Sequence, residues 1–216
     1  MKIERFKAVL FDMDGVIVDT MPYHFISWFE ILKRYGVRVS PMTVFEMEGA
    51  KWGAVIEFAY KQAGKKLTAG LADKIRFERE TIFNKYFNRY VFEGIPEFIK
   101  SLKKQSILTG LVSGSSLEEA KRFLPKSIYG LFDVIVTGDM VKHSKPYPDP
   151  YLTAAKELGI SAKECLVIEN APYGIKAAKA AKMHCLAVAT SLHKDKLKKA
   201  DRVFETHMEL YGYLKH

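Results

Sequence analysis

Hydrophobic residues along the chain form five short runs typical of buried strands, and between the later runs apolar residues recur at helical spacing. The predicted strands are residues 8–11, 107–112, 134–137, 166–168 and 185–189. The helical patterns between the later strands cover residues 117–124, 150–158 and 173–181. Strands that alternate with helices are typical of a parallel sheet covered on both faces. We therefore predict an α/β fold with a doubly wound, Rossmann-like core.

The connection between the first two predicted strands breaks this rhythm. It runs from Gly15 to Ile107, far beyond the dozen or so residues that a crossover helix needs. Helical periodicity covers residues 23–35, 52–62 and 71–90, with turn residues between these stretches, and 95–104 is predicted as the first helix back in the core. We predict an α/β core domain of residues 1–20 and 91–216, with a small helical cap domain of residues 21–90 inserted after the first strand.

Composition places the chain among ordinary globular proteins. Of its 216 residues, 48% are hydrophobic and 27% charged, and no stretch of eighteen apolar residues occurs, so a membrane span is not expected. Its two cysteines, Cys165 and Cys185, lie in or beside apolar runs, which argues against a disulfide scaffold. A reducing, cytoplasmic location is the expectation.

A net charge of +9 invites a nucleic-acid interpretation. The lysines are scattered over candidate helix faces, which is typical of a solvated basic surface, so a nucleic-acid partner is not expected. A positive field would favour small anionic substrates. A basic nucleic-acid-binding or interaction module without chemistry remains the alternative from another functional class, and the sequence makes no prediction of oligomeric state.

Polar residues cluster where the predicted strands end. In open parallel sheets, ligands bind beyond the carboxyl ends of the strands. Four strand ends or the loops after them carry Asp12 and Asp14, Ser113 and Gly114, Lys145, and Glu169 with Asn170. This convergence makes the signal specific.

Each of these residue types has a task in phosphoryl transfer through an aspartyl phosphate, in which a carboxylate attacks phosphorus. An anionic nucleophile is repelled by a phosphate dianion with roughly 4 kcal/mol for each unit pair at about 4 Å and an effective dielectric near 20. Mg²⁺ held by Asp12, Glu169 and Asn170 would neutralise this charge. Lys145 would add a fixed positive charge, and the Ser113 hydroxyl and Gly114 amide would donate to phosphoryl oxygens. Asp14 is then free to serve as general acid and base.

Four segments resemble the successive motifs of the haloacid-dehalogenase-like hydrolase superfamily: FDMDGVIVDT, VSGSS, KPYPDPYL and VIENAPYGIKAA. The stretch DGVIVDTMPYHFISW looks especially like the branch of β-phosphoglucomutases and sugar-phosphate phosphatases. This resemblance implies that Asp12 is the nucleophile and that Asp14 is the acid/base and a metal ligand through its backbone carbonyl. It further implies that Ser113 and Lys145 bind phosphate, while Glu169 and Asn170 complete the Mg²⁺ site.

Two positions depart from the family pattern. Many relatives have an acidic residue where this chain has Asn170, whose amide oxygen brings no charge to a metal. The mutase branch also resembles this chain except that Trp52 stands where a cap arginine binds the second phosphate, with only Lys51 beside it. A lysine lacks the bidentate fork of arginine. This difference favours a phosphatase over a mutase.

The cap offers three substrate-binding candidates: His24, Lys51 and Trp52. His24 and Trp52 have equally good structural interpretations as packed side chains. A calcium loop is excluded as an explanation of Asp12 and Asp14, because Val16 and Ile17 stand where that loop needs a ligand and a glycine. The sequence therefore predicts a cytoplasmic Mg²⁺-dependent phosphatase of small phosphorylated metabolites, sugar phosphates in particular, with an intramolecular sugar phosphomutase as the alternative.

Overall fold

The computed structural model describes residues 3–50 and 52–215, and its centre is a six-stranded, fully parallel sheet. The strands are β1 (Ala8–Phe11), β2 (Leu108–Val112), β3 (Val134–Val136), β4 (Cys165–Glu169), β5 (His184–Val188) and β6 (Arg202–Phe204). Their order is β3-β2-β1-β4-β5-β6, so β1 lies in the middle between β2 and β4. The predicted doubly wound α/β fold is confirmed.

Helices form both the layers around the sheet and the insertion after β1. Those of the insertion are α1 (Met21–Arg34), α2 (Pro41–Glu46), α3 (Trp52–Gln62) and α4 (Ala69–Tyr86). The remaining helices are α5 (Ile95–Lys104), α6 (Leu117–Phe123), α7 (Lys126–Tyr129), α8 (Asp149–Glu157), α9 (Pro172–Ala180) and α10 (His207–Lys215). The predicted helical insertion is therefore present.

Both faces of the sheet are buried, which explains the continuous apolar runs of its strands. In β1, Val9 and Phe11 pack into one hydrophobic cluster and Ala8 and Leu10 into another. A third cluster lies among α1–α4 and includes Trp28, Ile31 and Ile56. The insertion thus has a hydrophobic core of its own.

The chain leaves and re-enters the sheet region along two adjacent segments. Val18 forms an antiparallel bridge with Val91, and the Asp19 amide donates to the Tyr90 carbonyl at 2.9 Å. The Phe92 amide donates to the Ile17 carbonyl at 3.0 Å. We propose that this pair of segments marks the domain boundary that the sequence predicts at residues 20 and 91.

The sequence pattern missed short elements. The sequence indicates a turn at Ser40-Pro41 and predicts no helix over residues 41–46, yet α2 begins at Pro41 because the Ser40 hydroxyl accepts from the Thr43 amide and Pro41 suits the first helical turn. The three-residue edge strand β6 and the C-terminal helix α10 were also not predicted. Among the helices of the described ranges, none combines the length and the apolar character needed to cross a bilayer.

Candidate active site

The carboxyl ends of the central strands bring the predicted residues together. Asp12 follows β1 directly, and its amide donates to the Ile168 carbonyl of β4 at 3.0 Å. Its side chain is fully buried. Ser113 follows β2, and Glu169 ends β4, so three neighbouring strands place their polar residues around one point.

Lys145 is the cation at the centre of this cluster. Its ammonium donates to Asp12 Oδ1, to Glu169 Oε1 at 2.7 Å and to the Val112 carbonyl at 3.3 Å. The side chain is buried, and burial alone would lower the pKa of Lys145. The adjacent carboxylates outweigh this effect and raise the pKa, so Lys145 is a permanent positive charge.

Glu169 uses both of its oxygens within the protein. Oε1 accepts from Lys145 and from the Tyr151 hydroxyl, each at 2.7 Å. Oε2 accepts from the backbone amides of Asn170 at 2.9 Å and Ala171 at 3.2 Å. A carboxylate offers about four lone-pair sites, and all four are occupied here. This arrangement suits a residue that holds Lys145 in place.

Asp12 has one engaged and one unengaged oxygen. Oδ1 contacts Lys145, whereas Oδ2 is buried with no hydrogen-bond partner among the described residues. Burial raises the pKa of Asp12 to about 7, against the opposing effect of Lys145 and with the help of the Glu169 charge. A buried carboxylate oxygen without a partner is costly unless a ligand completes it.

Asn170, which directly follows Glu169 at the end of β4, is buried and, among the described residues, also has side-chain atoms without partners. Neither its amide oxygen nor its amide nitrogen has a partner in the part of the chain that the structure covers. It approaches the loop after β1 closely, because a Cβ on Gly15 would lie 2.1 Å from Asn170 Nδ2. Gly15 also has a φ of +81°, so glycine is required there for two reasons.

Asp14 is held by hydroxyl groups and a histidine. Its Oδ1 accepts from the Thr20 hydroxyl at 2.5 Å and lies 3.3 Å from His24 Nε2. Its Oδ2 accepts from the hydroxyls of Ser113 at 3.3 Å and Ser115 at 3.4 Å. Burial raises the pKa of Asp14, but these hydrogen bonds, above all that from His24, outweigh it and lower the pKa. Asp14 is therefore ionised at neutral pH.

The protonation pattern of His24 follows from its second neighbour. His24 Nδ1 contacts the guanidinium of Arg79, which can only donate, so Nδ1 accepts and Nε2 carries the proton given to Asp14. Arg79 is buried, stacks on the Trp28 ring at 4.6 Å and donates to the Ser27 hydroxyl at 3.1 Å. Burial lowers the pKa of Arg79 to about 10, which still leaves it charged. Both nitrogens of His24 are engaged, so it is suited to orienting Asp14 more than to contacting substrate.

The insertion touches the core through glycines. A Cβ on Gly114 would lie 2.7 Å from the Gly49 carbonyl oxygen, and a Cβ on Gly49 would lie 2.6 Å from Lys145 Cδ. The loop after α2 therefore rests directly on the phosphate-binding residues predicted from sequence. This loop closes over Asp12 and explains its complete burial.

Glu48, which precedes Gly49, was missed by the sequence analysis. Its carboxylate lies within 4.8 Å of those of Asp12 and Glu169, although it comes from the insertion. The side chain is buried and its Oε2 has no partner within the described ranges. Burial and the charge of Asp12 raise the pKa of Glu48 well above its usual range. The acidic residue beside a glycine in MEGAKW was the available signal, but only the fold places it over the strand ends.

These orphaned oxygens fit a hard divalent cation. Within residues 3–50 and 52–215, Asp12 Oδ2, Asn170 Oδ1 and Glu48 Oε2 are buried oxygens without hydrogen bonds, and carboxylate and amide oxygens are the donors that Mg²⁺ prefers. When all are ionised, the carboxylates of Asp12, Glu48 and Glu169 carry more negative charge than the Lys145 ammonium can offset, and a cation would balance the excess. Glu169 fits less well as a direct ligand because its lone pairs are already used.

A cavity of about 320 Å³ lies between the insertion and the core. Its core side includes Asp14, Gly114 and Ser115, and its opposite side includes Glu48 and Trp28. Arginine side chains of α4 complete the lining: Arg76 and Arg79. The volume is in the range of small-ligand sites.

The side chains of the cap candidates Lys51 and Trp52 are not among those that the structure describes. Lys51 lies outside the described residues. Trp52 begins α3, but its side chain is outside the described part of the structure. Their predicted contacts with substrate stay predictions.

Comparison with known proteins agrees with the sheet topology. The family model described as haloacid dehalogenase-like hydrolase matches residues 9–188. Fructose-1-phosphate phosphatase of Escherichia coli is 32% identical over 192 residues, covering 86% of this chain and 97% of that protein. β-Phosphoglucomutase of Bacillus subtilis is 31% identical over 189 residues, covering 84% and 83%. The crystal structure of β-phosphoglucomutase from Clostridium difficile has a TM-score of 0.84 at 25% identity and covers 97% and 96%.

The chain belongs to the haloacid dehalogenase-like hydrolase family. The resemblance that the four motifs indicate is confirmed, and so is the expectation of a phosphatase-type hydrolase. The relatives fall into the sugar phosphatase and phosphomutase branch named from the first motif.

Proposed function

We propose that the protein is a Mg²⁺-dependent phosphatase of small phosphorylated metabolites, sugar phosphates in particular, that works through an aspartyl phosphate on Asp12. The observation that carries this proposal is the buried Asp12 carboxylate, with one oxygen on Lys145 and the other without a partner among the residues that the structure describes. Nearby stand a separate carboxylate for proton transfer, Asp14, and the unpartnered oxygens of Asn170 and Glu48.

In the first step an oxygen of Asp12 attacks phosphorus, and the bond from phosphorus to the leaving oxygen breaks. Asp14, ionised in the free enzyme, takes up a proton as the anionic phosphate group enters the cleft beside it, and delivers this proton to the leaving oxygen. The hydroxyl of Ser113, the amide of Gly114 and the ammonium of Lys145 bind the phosphoryl oxygens as charge develops.

In the second step Asp14, now ionised, takes a proton from a water molecule. The water oxygen attacks phosphorus, the bond to Asp12 breaks and inorganic phosphate leaves. His24 and Thr20 hold Asp14 in position for both transfers through their hydrogen bonds to Oδ1.

We infer that Asp12, Asn170 and Glu48 would hold Mg²⁺, with the backbone carbonyl of Asp14 as a further ligand implied by the family resemblance. The ion, when bound, would offset the negative charge of nucleophile and phosphate. Glu169 is then a positioning residue for Lys145. This assignment changes the ligand set predicted from the sequence: Glu48 is added, and Glu169 no longer contacts the metal directly.

The proposal includes movement of the insertion. Asp12 is fully buried under the loop that carries Glu48 and Gly49, so substrate can reach it only when this loop lifts. Closure then excludes bulk water from the first step.

Phosphate release from a panel of phosphorylated metabolites, with and without Mg²⁺, tests the proposal. The panel includes fructose 1-phosphate and hexitol phosphates, the substrates that the names of relatives indicate. Asp12→Asn should abolish release and Asp195→Asn, at an exposed site, should not. Acid quenching during turnover of a labelled substrate should leave phosphate on the peptide containing Asp12. A folded protein that releases no phosphate from any member in the presence of Mg²⁺ would overturn it.

A sugar phosphomutase is the second candidate, supported by the similarity to β-phosphoglucomutase and by the arginine-lined cavity. Its hallmark is conversion of β-glucose 1-phosphate to glucose 6-phosphate without free phosphate. Release of stoichiometric phosphate from the same substrate excludes it.

The proposed partner is a small metabolite, with no membrane or nucleic acid in the reaction. The proposed location is the cytoplasm, in keeping with two cysteines that are buried free thiols.

A further inference from the structure

A second depression lies at the opposite edge of the sheet, where the strands begin. It is bordered by Arg5, Phe6, Lys163, Lys179, Lys182 and His184 and has a volume of about 500 Å³. Phe6 precedes β1, Lys163 precedes β4 and His184 opens β5, so three adjacent strands bring these residues together. The active site is at the other end of the same strands. We call this place the basal depression.

The basal depression has an excess of positive charge. Lys179 is paired with Asp201, its ammonium lying 2.7 Å from Oδ1. Among the described residues, the ammonium groups of Lys163 and Lys182 have no carboxylate partner. The Arg5 guanidinium lies 4.7 Å from the centre of the Phe6 ring, and its Nη2 contacts His184 Nδ1 at 3.5 Å, so one edge of the guanidinium is engaged within the depression.

Lys182 has an unfavourable backbone conformation. It follows the C-cap of α9 with a φ of +60°, where glycine is the preferred residue. A lysine pays a conformational cost at this position that glycine avoids. The side chain is exposed. An exposed cation held in a strained backbone conformation is the kind of outlier that points to a function.

His184 lies between charged groups of both signs. Its Nδ1 is 3.5 Å from the Arg5 guanidinium and 3.4 Å from Asp201 Oδ2. Burial is the main cause that lowers the pKa of His184; the Asp201 charge opposes it, and the charges of Arg5 and Lys179 lower the pKa further.

We propose that the basal depression binds the phosphate chain of a small polyanion, such as inorganic polyphosphate or a nucleoside polyphosphate. Several cations around one concave place suit a compact ligand with several negative charges. Nucleic acid would need cations extended along successive phosphates, whereas these are confined to one depression. The inference goes beyond the proposed phosphatase activity and is independent of it.

Calorimetric titration of the Asp12→Asn protein with sodium tripolyphosphate in EDTA tests the proposal, because catalysis and metal-bridged binding are then absent. Lys182→Gly should weaken binding about fivefold, the upper range for one exposed ion pair. The same variant should raise the melting temperature by about 2–4 °C through relief of the left-handed backbone. Lys66→Gly, which removes an exposed lysine from the loop before α4, should leave the affinity unchanged.

Two further measurements show where the ligand binds and which kind of polyphosphate is preferred. Tripolyphosphate should shift the imidazole resonances of His184 and leave those of His24, in the active site, in place. ATP in place of tripolyphosphate shows whether a nucleoside adds affinity. Equal affinity in the Lys182→Gly protein, or no shift at His184, would overturn the proposal. Tighter binding of a DNA oligonucleotide than of tripolyphosphate at equal phosphate concentration would replace it with a nucleic-acid surface.

Discussion

The Tyr151 hydroxyl donates a hydrogen bond of 2.7 Å to Glu169 Oε1, the same oxygen that accepts from Lys145. The ring of Tyr151 also lies 5.1 Å from the Lys145 ammonium. Tyr151 is fully buried, so no water can replace its hydroxyl without rearrangement. One side chain thus fixes both the carboxylate and the cation beside the proposed nucleophile.

Tyr151→Phe is expected to lower kcat about tenfold, because loss of one hydrogen bond to a charged group loosens the position of Lys145. Steady-state kinetics with the best substrate of the panel measures this effect. Tyr147→Phe is the matched control, since Tyr147 is exposed and four residues away. Equal kcat values for the two variants would contradict a positioning role for Tyr151.

Glu48→Gln is expected to weaken Mg²⁺ binding about tenfold or more and to stabilise the metal-free protein. The stabilisation has a simple cause: the substitution removes a buried acid beside Asp12 and Glu169. Calorimetric titration with Mg²⁺ and thermal unfolding in EDTA measure the two effects. Glu57→Gln, at an exposed position of α3, should change neither quantity. Unchanged metal affinity in Glu48→Gln would remove Glu48 from the ligand set.

Gly114→Ala is expected to lower kcat/KM roughly tenfold to 100-fold while leaving the core folded. A Cβ at this position would lie 2.7 Å from the Gly49 carbonyl, so the loop of the insertion could no longer seat on the core. Gly70→Ala in α4 provides the comparison, because nothing lies within 4 Å of its Cβ position. Full activity of Gly114→Ala would show that this contact is not needed in turnover.

Asp133→Asn is expected to destabilise the protein by about 1–3 kcal/mol at pH 7. Burial raises the pKa of Asp133, but hydrogen bonds from Lys103 and from the Thr109 amide at 2.8 Å outweigh it, and the pKa is lowered. Because the pKa is lowered, the ionised Asp133 stabilises the fold at pH values above its pKa in the unfolded chain, near 3.9. This stabilisation is lost as the pH falls through the pKa of Asp133 in the folded protein. Urea unfolding from pH 7 to pH 3 should therefore show that the free energies of unfolding of the two proteins become more similar in acid. A difference in free energy of unfolding that does not change with pH would contradict this account.

The core could be predicted from sequence because its signals are local. Strand β1 and helices α3 and α5 have the bounds that hydrophobic periodicity indicates. The site residues at the strand ends could be predicted because parallel strands share one functional edge. Edge strand β6 was missed because three residues are too short for a periodic signal.

The remaining site residues depend on tertiary structure. Glu48 lies near the strand ends only because its loop folds back over the sheet. Arg79 of α4 contacts His24 of α1 only because these two helices pack against each other. Tyr151 is one residue among many apolar ones in α8 until its partner Glu169 is placed beside it. No residue spacing in the sequence predicts these side-chain contacts.

The central place of β1 has a consequence for biosynthesis. β1 leaves the ribosome before the other five strands of this sheet, yet its two neighbours are β2 and β4, which begin at Leu108 and Cys165. Helices α1–α4, whose contacts are closer in sequence, can assemble while this strand still waits for partners. Nascent chains released before Glu169 would thus present a folded helical unit joined to an unpaired, strongly apolar segment, a species that chaperones are suited to shield.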